Sequence, residues 1–173
     1  LGRSLTSVGT GAALVSWSGS MFEYLMPALV MKTPVGSLLE QTSNLIVQRQ
    51  MAYGQLRNVP WGISESAYNL HDLDYTYQYS NFGIPGLGLK RGLGRDTVIA
   101  PYATFLAAMV DPRKAVANLT VLDRKGALGS YGFYEALDYT PERVPDGEGF
   151  AIIRAYMAHH QGLSPIHTCT CRR

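Results

Sequence analysis

The sequence predicts an all-α fold, in which paired helices carry long loops gathered at one end. Three observations lead there. Apolar residues recur at three- and four-residue spacing in several stretches, most of them opened by a helix-capping pattern. Sustained strand alternation is scarce. Two segments rich in Gly, Pro and Tyr, 60–93 and 126–149, interrupt the helical stretches, so the order is helix pair, loop, helix pair, loop, helix.

Residues 1–10 read as an irregular approach. Ser20-Met-Phe-Glu23 is a capping-box pattern, in which serine hydroxyl and glutamate carboxylate satisfy orphan backbone N–H groups. It opens an apolar helix from Met21 toward Val30, which Pro27 should kink or shorten. Ser37-Leu-Leu-Glu40 repeats the pattern and starts a helix running to about Ala52, with Gly54 as its stop. Residues 96–110 are Ala-rich and apolar, with Pro101 bending the helix or starting its better part. Asp111 then caps a helix with Pro112 at its first position; Ala115, Val116, Leu119 and Leu122 form the buried stripe, and Gly126 ends it. The last helix spans 149–161, with Ile152, Ile153, Tyr156 and Met157 on one side.

Composition excludes several function classes. The chain has 173 residues, enough for one domain with a real core, and 46% are hydrophobic. Charged residues make up 16%, against about a quarter in typical domains, so much surface is expected to be committed to a ligand or other protein. A net charge of +2 without a clustered basic face gives no case for nucleic acid. The apolar run 11–31 carries Glu23 and Pro27, which argue against a membrane span. No leader opens the chain, and it reads as a fragment. Cys169 and Cys171 are too few and too close for a disulfide framework or a structural zinc site.

The chemistry concentrates in the two loops. Each centres on a glutamate amid aromatic and hydroxyl groups: Glu65 in WGISESAY and Glu135 in YGFYEALDY. Cleaving a glycosidic bond needs two carboxyl groups across it, and an apolar setting favours the protonated acid role. Each glutamate could instead cap a helix or bond to Ser64, Ser66 or Tyr139. Trp17 and Trp61 are sugar-stacking candidates or core residues, and Glu23 has its own structural alternative in the capping box. Lys90 and Arg91 could hold a hydroxyl or carboxylate, or form a solvated pair. His159-His160 has no metal-ligand spacing to His71 or Asp72, so neither metal nor cofactor is expected. GIPGLGLKRGLG imitates a nucleotide loop, but Arg91 stands where a third glycine is needed.

SWSGSMFEYLMP, VPWGISESAYN, YQYSNFGIPGLGLKRGL, VIAPYATFLAAM, GSYGFYEALDYTP and RAYMAHHQG together resemble the glycoamylase-like central region of bacterial cyclic β-1,2-glucan synthases, in order and from residue 1 to about 162. The resemblance implies a partial (α/α)6 toroid over 1–162, similar to endo-β-1,2-glucanases, followed by an unrelated or truncated tail over 163–173. It implies retaining transglycosylation that closes β-1,2-glucan rings, with Glu135 as nucleophile. Glu65 is then the acid/base, acting through a substrate hydroxyl. Trp17, Glu23, Trp61, Tyr68, Tyr134, His159, His160 and Gln161 are the implied sugar-subsite residues. The implied setting is a larger synthase at the cytoplasmic face of a bacterial inner membrane, with a β-1,2-glucan chain as partner. An endo-acting hydrolase and a non-catalytic glucan-binding fragment are the competing expectations.

Overall fold

A computed structural model describes residues 4–163. It overturns the all-α expectation, and with it the partial toroid of paired helices. Helices alternate with nine short strands in four small sheets among the described residues. The strands run two to six residues each, too short to show alternation to a sequence reading. Residues from 164 on, with Cys169 and Cys171, lie outside the described part, and so do 1–3.

The supposed irregular approach is a hairpin, β1 (Leu5–Val8) against β2 (Gly11–Leu14), turning at Gly9 with φ 58°. Helix α1 (Met21–Leu25) begins where the Ser20 side chain accepts from the Glu23 backbone N–H. Pro27 breaks the run as its missing N–H requires, and α2 (Pro27–Val30) restarts with proline at its first position. Helix α3 (Leu38–Arg57) passes through Gly54 and ends at Asn58 in the left-handed conformation. Gly54 is not a stop but a close-packing point: a Cβ there would stand 3.0 Å from both the Trp61 Cβ and the Val59 carbonyl. No helix among the described residues is long and apolar enough to cross a membrane.

The long central loop contains a second hairpin, β3 (Ser66–His71) and β4 (Tyr77–Ser80), joined by a turn in which the Asp72 carboxylate accepts from the N–H groups of Asp74 and Thr76. Strand β5 (Val98–Ile99) leads into α4 (Pro101–Ala107), and Asp111 caps α5 (Pro112–Arg124) as its side chain accepts from Lys114 N–H at 3.0 Å. The buried face of α5 is Ala115, Asn118 and Leu122, whereas Val116 is exposed.

The second loop holds a tiny hairpin, β6 (Leu128–Gly129) with β7 (Gly132–Phe133), and then β8 (Ala136–Asp138). The expected helix over 149–161 is instead β9 (Ala151–Ile153), an extended stretch, and helix only over 158–163. Strands β5, β8 and β9 form one antiparallel sheet with β8 in the middle. Its Val98, Ile99, Ala136, Leu137 and Ile153 are fully buried and join one core with Met21, Leu25, Ile46 and Leu106. The central strand β8 cannot slip without exposing that core, so it is a rigid base for the residue next to it, Glu135.

Candidate active site

Glu135 precedes β8, and its backbone N–H donates to the Ala155 carbonyl at 3.0 Å. The side chain turns inward and is 2% exposed. A buried carboxylate requires hydrogen-bond partners. Here Oε1 takes both: the Ala67 backbone N–H from β3 at 3.3 Å and His160 Nδ1 at 2.8 Å. Oε2 has no partner. Alanine at 67 and 136, both fully buried, keeps the meeting place of β3 and β8 free of bulk.

His160 is itself fully buried. Its ring stacks on Tyr102 of α4, with centroids 3.7 Å apart and planes 13° apart, and Nε2 lies 3.4 Å from the Tyr79 hydroxyl. The Tyr102 hydroxyl bonds to Ser64 Oγ at 2.8 Å and to the Glu65 carbonyl at 2.9 Å. Burial raises the pKa of Tyr102 far above the usual phenol value, and the charges of Glu65 and Glu135 add to the shift.

Glu65 stands two residues before Ala67 and is half-buried. Two side-chain amides on helices fix the backbone leading to it. Asn118 of α5 accepts from Trp61 N–H and donates to the Trp61 carbonyl, while Gln50 of α3 does the same at Ile63. The Glu65 carboxylate accepts from Asn81 Nδ2 at 3.2 Å. The pKa of the Tyr79 hydroxyl rises through burial first, then through Glu65, and finally through the charge of Glu135. His159 is pushed down by burial and by His160, while both glutamates pull it up. The two carboxyl groups therefore share one electrostatic neighbourhood.

A cavity of about 270 Å³ opens beside Glu135, walled by Tyr102, Phe105, Tyr134, His160 and Gln161 among others. Gln161 is held by its amide donating to the Phe133 carbonyl at 2.9 Å, and Tyr134 packs against Tyr156 with Arg154 over its ring. Glu65 does not line this cavity. Four proposed site residues thus gather around the cavity (Tyr134, Glu135, His160 and Gln161), with Glu65 and exposed His159 alongside.

The others sit elsewhere. Glu23 accepts twice from the Ser18 backbone N–H, at 2.9 and 3.2 Å, so its carboxylate organises the 16–20 turn. Trp17 is 63% exposed on that turn, and its carbonyl accepts from Lys90 N–H. Trp61 packs against the core beside Gly54. Tyr68 meets Phe82 edge-on, with the Arg143 guanidinium 4.8 Å from its ring centre. The glycine string that imitates a nucleotide loop is a packing device: a Cβ on Gly83 would overlap the Ser18 carbonyl, and Ser16 pairs with Gly88. Sequence reasoning passed over Tyr79, Tyr102 and Phe105. The one available signal was the density of tyrosines around Tyr79, which says nothing about direction.

Comparison with known proteins shows the family and the fold. The Glycoamylase family, described as "putative glucoamylase", matches residues 2–168. The cyclic beta-(1,2)-glucan synthase NdvB of Rhizobium meliloti (strain 1021) is 58% identical over 164 residues, 95% of this chain. The chain spans only 6% of that relative's length. Two crystal structures bearing the same description have the same fold over 98% of the chain. That from Bacteroides caccae ATCC 43185 has a TM-score of 0.66 at 18% identity, and the match covers 41% of its length. The one from Bacteroides fragilis NCTC 9343 has a TM-score of 0.64 at 21% identity, with 40% covered. The chain resembles the glycoamylase-like part of a cyclic β-1,2-glucan synthase along nearly its whole length, and it belongs to the Glycoamylase family.

Proposed function

We propose that this chain cleaves and re-forms β-1,2-glucosidic bonds, closing β-1,2-glucan into rings by retaining transglycosylation. Glu135 is the nucleophile and Glu65 the acid/base. One observation carries the reading: a buried carboxylate on a cavity wall has one oxygen anchored by His160 and Ala67 and the other without a partner. Anchoring one oxygen fixes the group's orientation in advance, and the second keeps its lone pairs for an electrophilic carbon.

In the first step Glu135 Oε2 forms a bond to the anomeric carbon as the glycosidic C–O bond breaks. The proton for the leaving oxygen comes from Glu65, by way of a sugar hydroxyl. In the second step a hydroxyl at the far end of the same glucan replaces the Glu135 ester, returning a proton to Glu65. Tyr134 and Gln161 contact the sugar at the cavity; Trp17, Glu23, Trp61, Tyr68 and His159 are proposed for more distant subsites. The wider setting we propose is a larger membrane-bound synthase, with a linear β-1,2-glucan chain as the partner.

The test is Glu135→Gln in the complete gene product. Ring formation is expected to fall by about three orders of magnitude or more, as when other covalent nucleophiles are removed, while linear glucan accumulates. Unchanged ring yield would remove the nucleophile assignment. Linear oligosaccharides in place of rings from the unaltered protein would make water the acceptor and the activity endo-hydrolytic.

A further inference from the structure

Asn81 and Lys90 lie in the glycine-rich strap that follows β4. The Asn81 side-chain amide donates from Nδ2 to Glu65 Oε2 at 3.2 Å, and Lys90 Nζ donates to the Asn81 backbone carbonyl at 2.6 Å. We propose that Asn81 is a positioning residue for Glu65, setting the direction of its carboxyl group, and that Lys90 holds Asn81 in place for this task. This rests on the assignment of Glu65 as acid/base given above.

The strap has little freedom to carry Asn81 away. Ile84 N–H donates to the Gly19 carbonyl at 3.2 Å, Leu89 N–H to the Ser16 carbonyl at 3.1 Å, and Lys90 N–H to the Trp17 carbonyl at 2.8 Å. Its two ends are thus laced to the 16–20 turn. A Cβ on Gly88, as on Gly83, would overlap the backbone of that turn, so the two segments are as close as glycine permits. Phe82, next to Asn81, is buried and meets Tyr68 of β3 edge-on. The Lys90 side chain then folds back to a carbonyl nine residues earlier and ties the strap across.

Glu65 has a use for such a partner. Gln50 and Asn118 fix the backbone leading to it, but a half-buried carboxyl group still turns about its own Cγ–Cδ bond. A donor on one oxygen removes that rotation, as His160 and Ala67 do for Glu135. A hydrogen bond to a charged acceptor is also about twice as strong as one between neutral groups. The Asn81 contact therefore strengthens as Glu65 releases its proton in the first step and weakens as Glu65 takes one back in the second. It stabilises the bond-breaking step more than the resting enzyme, which is the condition for an effect on rate.

Two substrates test the role in the complete gene product. Linear β-1,2-glucan needs a proton for its leaving oxygen. A β-1,2-gluco-oligosaccharide with β-fluoride at its anomeric carbon does not, because fluoride departs unprotonated, and azide as acceptor brings no proton to remove. Asn81→Ala is expected to lower kcat for ring formation about tenfold, while fluoride release in azide stays within about twofold. Asn81→Asp keeps the size but loses the donor, and should fare no better than alanine. Lys90→Met keeps the stem and should show the same split more weakly; equal rates on both substrates would remove Lys90 from the proposal. Equal losses on both substrates for Asn81→Ala overturn the proposal, and so does unimpaired ring formation by either Asn81 variant. Glu65→Ala reports separately on the functional reading. If it lacks the split, the acid/base assignment fails and the proposal with it. If it shows the split and Asn81→Ala does not, only the proposal falls.

Discussion

Tyr79 illustrates how much a single side chain depends on its neighbours. Burial and the two carboxylates hold its phenol, like that of Tyr102, in the protonated form well past the ordinary value of 10.0. As pH rises through about 10, the phenols of the unfolded chain lose their protons while these two keep theirs. The unfolded state then binds fewer protons, so stability is complete below about pH 10 and declines above it. Denaturant midpoints measured between pH 8 and 11.5 are expected to fall at the alkaline end. The fall should be shallower for Tyr79→Phe, which removes one of the groups responsible. Parallel alkaline declines in the two proteins would contradict this account of Tyr79.

At the scale of elements, the site depends on β3 of the central hairpin being held against β8 of the three-stranded sheet. Asp138, fully buried on β8, is the clamp. Its Oδ2 accepts from Asn69 N–H of β3 at 3.1 Å and from Arg143 Nε at 2.6 Å. Its Oδ1 accepts from Thr140 N–H and Arg143 Nη2, and Arg143 Nη1 reaches Asp96 at 2.5 Å. Asn69 lies two residues beyond Ala67, whose N–H anchors Glu135, so the clamp and the proposed nucleophile share one pair of strands. Arg143→Ala strands a buried carboxylate and should cost about 3 kcal/mol in chemical unfolding. Arg143→Lys keeps the charge but loses the planar fork, and should recover less than half of that. A loss within about 0.5 kcal/mol, the size of an ordinary surface substitution, would show that the clamp is not energetically needed.

The whole molecule presents an apolar face away from the site. Val30, Met31, Val35, Leu38 and Leu39 are exposed along α2, the following turn and the start of α3, with Val35 92% exposed. Close by, a groove of about 460 Å³ is lined by Leu25, Leu29, Val30, Met109 and Val110 among others. Exposed apolar residues gathered in this way favour association in water. Sedimentation of the 173-residue polypeptide is therefore expected to show concentration-dependent self-association, reduced by Val30→Ser combined with Leu39→Ser. A concentration-independent monomer would count against this face as a surface of association.

Helix starts were legible because a cap is a conversation between residues three apart. Ser20, Ser37 and Asp111 each bond to the N–H that their position implies, and Pro27, Pro101 and Pro112 each stand at a first helical position. The ordered motifs carried the family. Strands were not legible. Val98–Ile99, Ala136–Asp138 and Ala151–Ile153 are too short to have a period of their own, and the two outer strands exist because Ala136–Asp138 between them supplies their hydrogen bonds. Ile152, Ile153, Tyr156 and Met157 match helical spacing, yet pairing with β8 outweighs it. The chain alone determined which carboxylates stand among aromatic residues. Only the tertiary structure made the two oxygens of Glu135 unequal. Their partners lie 68 residues upstream at Ala67 and 25 downstream at His160, separations that no local pattern spans.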